Sequence, residues 1–199
     1  MRYRRFGRTG LNLSVFSLGT MRALGSPEVM QAVIEGAIAQ GINHIETAAA
    51  YGASETYIGR ALKALGHPPV FITTKLLPQG NADQIQRQIS QSLERLQVSR
   101  LDGVALHGLN TPDHLAWLNS EGMAMLRQLQ AEGVIGALGF SSHGSLPVIL
   151  QAIASNQFDF VNLHYTYFQQ CNAPAIAAAA ERDMGIFIIS PSSPFFPLS

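Results

Sequence analysis

The sequence predicts an α/β fold: a TIM-type (β/α)8 barrel of parallel strands that lacks its last βα unit and carries an N-terminal β-hairpin. Two observations predict it. Short apolar runs without strict polar alternation, typical of strands buried on both faces, are separated by amphipathic stretches that carry helix-capping residues. In addition, side chains able to do chemistry follow one predicted strand after another, as on the active face of a closed barrel.

Seven apolar runs are predicted to be the parallel strands. They are rich in Val, Ile, Leu and Phe, and they are short enough for strands. In chain order they are Val15–Gly19, Ile42–Glu46, Val70–Lys75, Leu101–Leu106, Val134–Phe140, Phe160–Leu163 and Ile186–Ser190. The segment Arg5–Leu11, with its glycine-bounded turn, predicts the hairpin.

Helix start and stop signals lie between these runs. Ser26, Pro27 and Glu28 supply a cap, a proline for the first helical position and an acid in the first turn, and Gly41 ends the helix. The later helices are predicted at Ser54–Gly66, from Asn81 to Leu96, within Pro112–Glu132, at Ser145–Ser155 and at Ala173–Asp183. The stretch Pro112–Glu132 is either one helix or two pieces broken near Gly122.

Composition and charge exclude several classes of protein. The 199 residues include 13 basic and 13 acidic side chains, so the formal net charge is zero and creates no field for nucleic acid or an anionic membrane. Cys171 is the single cysteine and has no internal disulfide partner. No secretory signal follows Met1, and no apolar run approaches the roughly 20 residues that cross a bilayer. We therefore expect one cytoplasmic domain over residues 1–199, with no nucleic-acid or membrane partner.

Strand–helix alternation fits either a closed barrel or an open, doubly wound sheet. A dinucleotide-binding sheet of the open kind would carry a G-x-G-x-x-G turn after its first strand. The segment Leu18-Gly19-Thr20-Met21 lacks that pattern, which favours the closed barrel.

Six consecutive predicted strands end in, or are followed by, polar side chains suited to chemistry. These side chains are Glu46, Tyr51, Lys75, His107, Ser141, Ser142, Asn162, Tyr165 and Ser190. A phenol is a poor proton donor at neutral pH, and a nearby ammonium stabilises the phenolate that remains after proton transfer. Tyr51 and Lys75 supply these two groups, while Glu46 is a carboxylate that can hold the ammonium. With His107 to orient a carbonyl, the set suits reduction of an aldehyde or ketone by hydride from a nicotinamide.

Several segments together form a specific pattern. They are Arg5–Leu11, Gly41–Gly52 (GINHIETAAAYG) with Ser54-Glu55 and Gly59–Leu62, Thr74-Lys75, Leu106-His107 and Gly139–Ser142. In this pattern the chain resembles the aldo-keto reductase family over nearly its whole length. Its ending, Ile188–Pro191, resembles the branch whose longer members carry a C-terminal iron–sulfur module.

The resemblance implies NADPH as the cofactor, a small-molecule carbonyl substrate and a role for each strand-end residue. Tyr51 would be the general acid and Lys75 its charged partner. Glu46 would be the carboxylate on that lysine, and His107 the residue that orients the carbonyl. The implied cofactor-binding residues are Gly19, Thr20, Ser141, Ser142, Asn162 and Ser190, with Thr20 near the ribose and Ser141 and Asn162 on the nicotinamide amide.

Four positions depart from the usual pattern of that family. Glu46 stands where most members have Asp, Ser142 where they have Asn, and Asn162 where they have Gln. Ile189 falls where many members stack an aromatic ring on the nicotinamide.

The sequence stops shortly after the seventh predicted strand, whereas a complete barrel typically needs ~250 residues. We therefore expect a truncated barrel with open strand edges, low stability, self-association and at most weak NADPH binding. The segment Ser192–Ser199 is expected to cover part of the gap.

Two other functions fit parts of the sequence. His107, His143 and Glu46 are candidate Zn²⁺ ligands of a barrel hydrolase, although no His-x-His pair occurs at the first strand. A non-catalytic barrel fragment that serves as a partner module is the other alternative. His44, within a strand, is expected to be a packing residue, and the roles of His143 and His164 stay open.

Overall fold

The computed structural model describes residues 1–22 and 25–190. The chain begins with an antiparallel hairpin of β1 (Tyr3–Arg5) and β2 (Asn12–Ser14), joined by a short 3₁₀ turn at Gly7–Thr9. This is the hairpin that the sequence predicts. Gly7 and Gly10 both have positive φ, which explains why glycines bound the turn.

Seven parallel strands form one sheet in chain order, and helices connect them. The strands are β3 (Leu18–Gly19), β4 (His44–Glu46), β5 (Phe71–Leu76), β6 (Leu101–Leu106), β7 (Ile135–Ser142), β8 (Phe160–His164) and β9 (Gly185–Ile189). The helices are α1 (Pro27–Ala39), α2 (Ser54–Ala64), α3 (Ala82–Leu96), α4 (Pro112–Trp117), α5 (Glu121–Ala131), α6 (Leu146–Ala154) and α7 (Ala173–Glu181). The predicted fold class is confirmed.

Most strand ends lie within two residues of the prediction, and the largest difference is at the first strand. The first strand is only Leu18–Gly19, because the backbone groups just before it are used elsewhere: Val15 N donates to the Arg2 carbonyl of the hairpin, and the Ser14 hydroxyl donates to the Phe16 carbonyl. The region Pro112–Glu132 forms two helices, as in the second of the two predicted alternatives, and the break falls at 118–120, just before Gly122. The Ser120 hydroxyl accepts a hydrogen bond from Met123 N and caps the second helix.

The sheet is strongly curled. Asn162 in β8 donates a hydrogen bond to Glu46 in β4 at 3.2 Å, although these strands stand four places apart in the sheet order. In a flat sheet with ~4.8 Å between neighbouring strands, those strands would lie about 19 Å apart. The contact therefore crosses the inside of a partly closed barrel. Within the described residues, β3 and β9 are the two edges of the sheet and do not pair with each other.

Two apolar clusters stabilise this architecture. The larger lies between the sheet and the helices, where side chains such as Ile34, Ile58 and Phe140 are fully buried. The smaller lies inside the sheet and joins Phe6 of the hairpin to Phe160. Successive side chains of a strand point alternately to the inside of the sheet and to the helices. Because both faces are covered by apolar clusters, the strands are apolar at consecutive positions.

The hairpin closes the amino-terminal end of the barrel. The Phe6 ring packs on Phe187 at 4.2 Å between centroids, and a Cβ at Gly185 would approach the Phe6 ring to 2.6 Å. Arg5 forms a two-pronged ion pair with Asp183 outside this contact. Access to the interior is therefore left to the opposite end, where the strands have their carboxyl ends.

Within the described residues, no helix is both long and apolar enough to cross a bilayer. The predicted covering of the sheet edge by Ser192–Ser199 lies outside the described residues.

Candidate active site

Lys75 is the centre of a polar cluster at the carboxyl ends of the strands. Its side chain extends inward from β5 and is only 3% exposed. The ammonium donates to Tyr51 Oη at 3.1 Å and to the Thr47 carbonyl at 3.0 Å, and it forms an ion pair with Glu46. The buried ammonium therefore has three oxygen partners, and one of them belongs to a phenol that can transfer a proton.

The loop after β4 holds Tyr51 in place. The Ala49 N–H donates to the Lys75 carbonyl at 3.0 Å, and the Tyr51 N–H donates to the Ala48 carbonyl in a tight turn. The Tyr51 ring lies 4.7 Å from Lys75 Nζ and meets the ring of His107 edge-on at 5.6 Å. Tyr51 is half-buried, so part of this residue reaches the surface while its hydroxyl contacts the buried ammonium.

His107 directly follows β6, and its N–H donates to the Leu76 carbonyl at 2.7 Å. Burial lowers the pKa of His107 to about 4, and the positive charge of Lys75 and the nearby His143 act in the same direction. The ring is therefore neutral at pH 7. Its buried Nδ1 has no hydrogen-bond partner among the described residues, and the ring itself lies edge-on to Tyr51.

Asn162 and Glu46, two of the positions that depart from the family pattern, contact each other. The Asn162 amide donates to Glu46 Oε1, the same oxygen that pairs with Lys75. Asn162 is 2% exposed, and its Oδ1 is buried without a partner in the described part of the chain. The structure thus brings five predicted site residues together: Glu46, Tyr51, Lys75, His107 and Asn162.

Of the other predicted cofactor-binding residues, three have hydroxyl groups used within the protein. Thr20 is fully buried, and its hydroxyl binds the Glu46 carbonyl and Ser54. Ser142 donates to the Leu109 carbonyl at 2.6 Å, and the Ser141 hydroxyl accepts from Gly108 N at 3.0 Å. These contacts hold the strand-end loops that surround the cluster.

Gly19 and Ser190 lie at the two edges of the sheet. Gly19 is exposed, and a Cβ added there would meet nothing within 4 Å, so the backbone is open to approach. Ser190 is exposed just beyond β9 and has φ of 50°, a conformation that is uncommon for serine.

The remaining histidines separate into two environments. His44 is buried inside the sheet, hydrogen-bonded to the hydroxyls of Ser17 and Thr73 and stacked on Phe187, as expected of a packing residue. His143 and His164 contact each other, with 2.9 Å between His164 Nε2 and His143 Nδ1. In the parts of the chain that the structure describes, no three His, Cys, Asp or Glu side chains are grouped as metal ligands. Glu46 is instead paired with Lys75.

Sequence reasoning missed a buried ion pair behind the site. Glu55 is 1% exposed and accepts hydrogen bonds from Arg95 Nε at 2.7 Å and from the Thr74 hydroxyl at 2.6 Å. These bonds tie α2 and α3 to the strand that carries Lys75. The sequence signal was an acid in the first turn of a helix, which indicates a cap but not a partner 40 residues away.

Comparison with known proteins was consistent with this geometry. The model of the Aldo/keto reductase family matches residues 16–195. The aldo-keto reductase YhdN of Bacillus subtilis is 31% identical over 160 residues, which cover 71% of this chain and 47% of that protein. The NADH-specific methylglyoxal reductase of Escherichia coli is 26% identical over 211 aligned positions, covering 92% of this chain and 64% of that protein. The chain thus spans about half to two thirds of the length of these curated relatives.

Solved structures give the same result. A Pseudomonas aeruginosa protein assigned as an aldo-keto reductase superposes with a TM-score of 0.81 at 30% identity, covering 94% of this chain and 77% of that one. The holo form of aldo-keto reductase AKR11C1 from Bacillus halodurans has a TM-score of 0.86 over the whole chain and 70% of its own length. At 22% identity, that second likeness supports the fold alone.

Proposed function

This chain belongs to the aldo/keto reductase family, and from that premise we propose that it reduces an aldehyde or ketone with hydride from NADPH. The observation that carries the proposal is the contact of the buried Lys75 ammonium with the Tyr51 hydroxyl at 3.1 Å. A buried ammonium beside a half-buried phenol is the arrangement that proton donation by tyrosine requires.

Tyr51 is proposed as the proton donor to the carbonyl oxygen of the substrate. Lys75 stabilises the phenolate that forms, and Glu46 with the Thr47 carbonyl keeps the ammonium oriented toward the phenol. Because this cluster is largely shielded from water, its charges interact more strongly than they would at the surface.

His107 is proposed to orient the substrate carbonyl. With a pKa lowered to about 4, it is neutral at pH 7, so it can donate one ring N–H without adding a second positive charge beside Lys75. Its Nδ1 is buried and has no partner among the described residues. Without a ligand this atom destabilises the fold, since an unsatisfied buried polar atom costs ~1–3 kcal/mol.

The residues present fit a nicotinamide. Asn162 Oδ1 is a buried acceptor without a partner in the described residues, and a carboxamide N–H is the group that would satisfy it. The bound nicotinamide would supply the hydride. Ser141, Ser190 and the open backbone at Gly19 are proposed to complete the cofactor site. NADPH rather than NADH is inferred from the resemblance, whereas one relative is named as NADH-specific.

The decisive experiment compares Tyr51→Phe with Tyr57→Phe, a control on α2 that lies outside the cluster. NADPH and NADH binding are measured by fluorescence titration, and turnover by loss of cofactor absorbance with a panel of aldehydes and ketones. Tyr51→Phe should bind cofactor like the wild type but lose about 100-fold or more in turnover, because only the transferable proton is removed. Tyr57→Phe should keep both properties.

Wild-type turnover by Tyr51→Phe would remove this residue from the mechanism. A folded wild-type chain that binds neither dinucleotide would favour a non-catalytic partner module instead. The cytoplasmic location stays a prediction from the N-terminal sequence.

A further inference from the structure

Asn162 connects two parts of the interior that the proposed mechanism treats separately. Its amide donates to Glu46 Oε1 at 3.2 Å, and that oxygen also pairs with the Lys75 ammonium. A carboxylate only accepts hydrogen bonds, so the NH₂ end of Asn162 must face Glu46 and its Oδ1 must face the other way. The orientation of this amide is therefore set by the charge on Glu46.

The opposite end of the amide is the unsatisfied one. Asn162 is 2% exposed, and Oδ1 has no hydrogen-bond partner among the described residues. A fixed acceptor of this kind selects a ligand that presents an N–H and disfavours one that presents only a carbonyl or a methyl group. The nicotinamide carboxamide presents such an N–H.

We propose that Asn162 is a positioning residue that couples recognition of the nicotinamide carboxamide to the Glu46–Lys75–Tyr51 cluster. The inference rests on the proposed function. Glu46 holds Asn162 with Oδ1 toward the carboxamide, and a bound carboxamide in turn fixes Asn162 against the carboxylate that orients Lys75. By reciprocity, a change at Glu46 alters carboxamide recognition although Glu46 need not touch the cofactor.

The test compares two dinucleotides. NADPH carries the carboxamide, whereas its 3-acetylpyridine analogue carries a methyl ketone and has no N–H. The ratio of their dissociation constants, measured by titration, reports the hydrogen bond to Asn162 Oδ1 and is independent of turnover. The wild type should prefer NADPH by about tenfold, the value of one hydrogen bond.

Three variants decide whether the coupling exists. Asn162→Leu, similar in size, should lose the preference because it has no acceptor. Glu46→Asp keeps the charge but is one methylene shorter, so it should release Asn162 and lose the preference as well. In the double variant Glu46→Asp with Asn162→Gln, the amide side chain is one methylene longer and compensates for the shorter carboxylate. The hydrogen bond between the two side chains can then form again, and the preference should be restored. Ser92→Ala, a buried substitution on α3, should leave the ratio unchanged.

Each outcome is decisive. A preference retained by Asn162→Leu would show that Oδ1 does not receive the carboxamide. A preference retained by Glu46→Asp, or not restored in the double variant, would show that Glu46 does not orient Asn162. If Asn162→Leu fails to fold, the Glu46 variants still decide the question. A folded wild type that binds neither dinucleotide would overturn the proposed function together with this inference, whereas the other results overturn the inference alone.

Discussion

His44 is buried against Phe187 and bound to two hydroxyl groups inside the barrel. Burial, aided by the positive charge of Lys75, lowers its pKa from 6.5 to about 3. In the unfolded chain His44 is protonated as the pH falls through 6.5, whereas in the folded chain it stays neutral until about pH 3. Below pH 6.5 the free energy of unfolding should fall by about 1.4 kcal/mol per pH unit from this residue.

Urea denaturation at several pH values tests this expectation. His44→Gln should reduce the slope between pH 6 and 4 by about 1.4 kcal/mol per pH unit, while the contribution of His107, whose pKa is also lowered by burial, remains. His67→Asn is the matched control, because His67 is exposed and its positive φ suits asparagine. Equal slopes in the wild type and in His44→Gln would show that His44 is protonated in the folded protein.

Lys75→Met should reduce both activity and stability. The substitution removes the partner of the Tyr51 phenol and leaves the Glu46 carboxylate uncompensated in a site where it is only 19% exposed. The expected stability loss is about 3 kcal/mol, at the low end for a broken buried pair because Glu46 keeps some contact with water. Thermal melting and turnover are measured beside Lys63→Met, an exposed lysine on α2. A variant that melts like the wild type would contradict the role of the pair.

Elements and their order were predictable, while precise ends were less so. The apolar runs between capped helices correctly predicted the strands, because the local sequence preference and the tertiary packing favour the same structure at these positions. Val15–Ser17 was wrongly predicted as strand, because Val15 N binds the Arg2 carbonyl of the hairpin and the Phe16 carbonyl accepts from the Ser14 hydroxyl, so these backbone groups do not pair with the sheet. The Ser120 hydroxyl caps α5 and so separates it from α4. The sequence predicted only that a break near Gly122 was one of two alternatives.

The candidate site divides in the same way. The residues Glu46, Tyr51 and Lys75 could be proposed as a set, since parallel strands place their carboxyl ends on one face. The use of the Thr20 hydroxyl inside the protein could not be predicted, because it depends on Ser54 in the next βα unit. The contact of Asn162 with Glu46 depends on how far the sheet curls, which no local pattern encodes.

The docking of the N-terminal hairpin should depend on one apolar side chain. Phe6 is 8% exposed and packs on Phe160 and Phe187, so Phe6→Ala should lower the free energy of unfolding by ~3–5 kcal/mol. Arg5→Gln should cost far less than Phe6→Ala, because its ion pair with Asp183 is largely exposed and screened by water. Phe16→Ala, at a position 65% exposed, is the size-matched control. If Arg5→Gln proved the more damaging variant, the hairpin would be held by charge rather than by packing.

The whole molecule is expected to self-associate. Within the described residues β3 and β9 have sheet partners on one side only, and Ile188 of β9 is 37% exposed. Unpaired apolar edges favour pairing with another chain. Light scattering should give a mass that rises with protein concentration, and Ile188→Lys should reduce that rise. Val29→Lys, at an exposed position on α1, should not. A constant monomer mass over the same range would show that the edges do not pair.

The hydrogen bond from Asn162 to Glu46 also bears on the order in which the chain folds during synthesis. Tyr51 and Lys75 are 24 residues apart, in consecutive βα units, whereas Asn162 and Glu46 are 116 apart. Contacts between near neighbours in sequence close small loops and form first, and distant ones follow. On the ribosome the Tyr51 phenol and the Lys75 ammonium can thus meet before β8 emerges. The hydrogen bond from Asn162 to Glu46, the carboxylate that pairs with this ammonium, can form only after β8 has been translated.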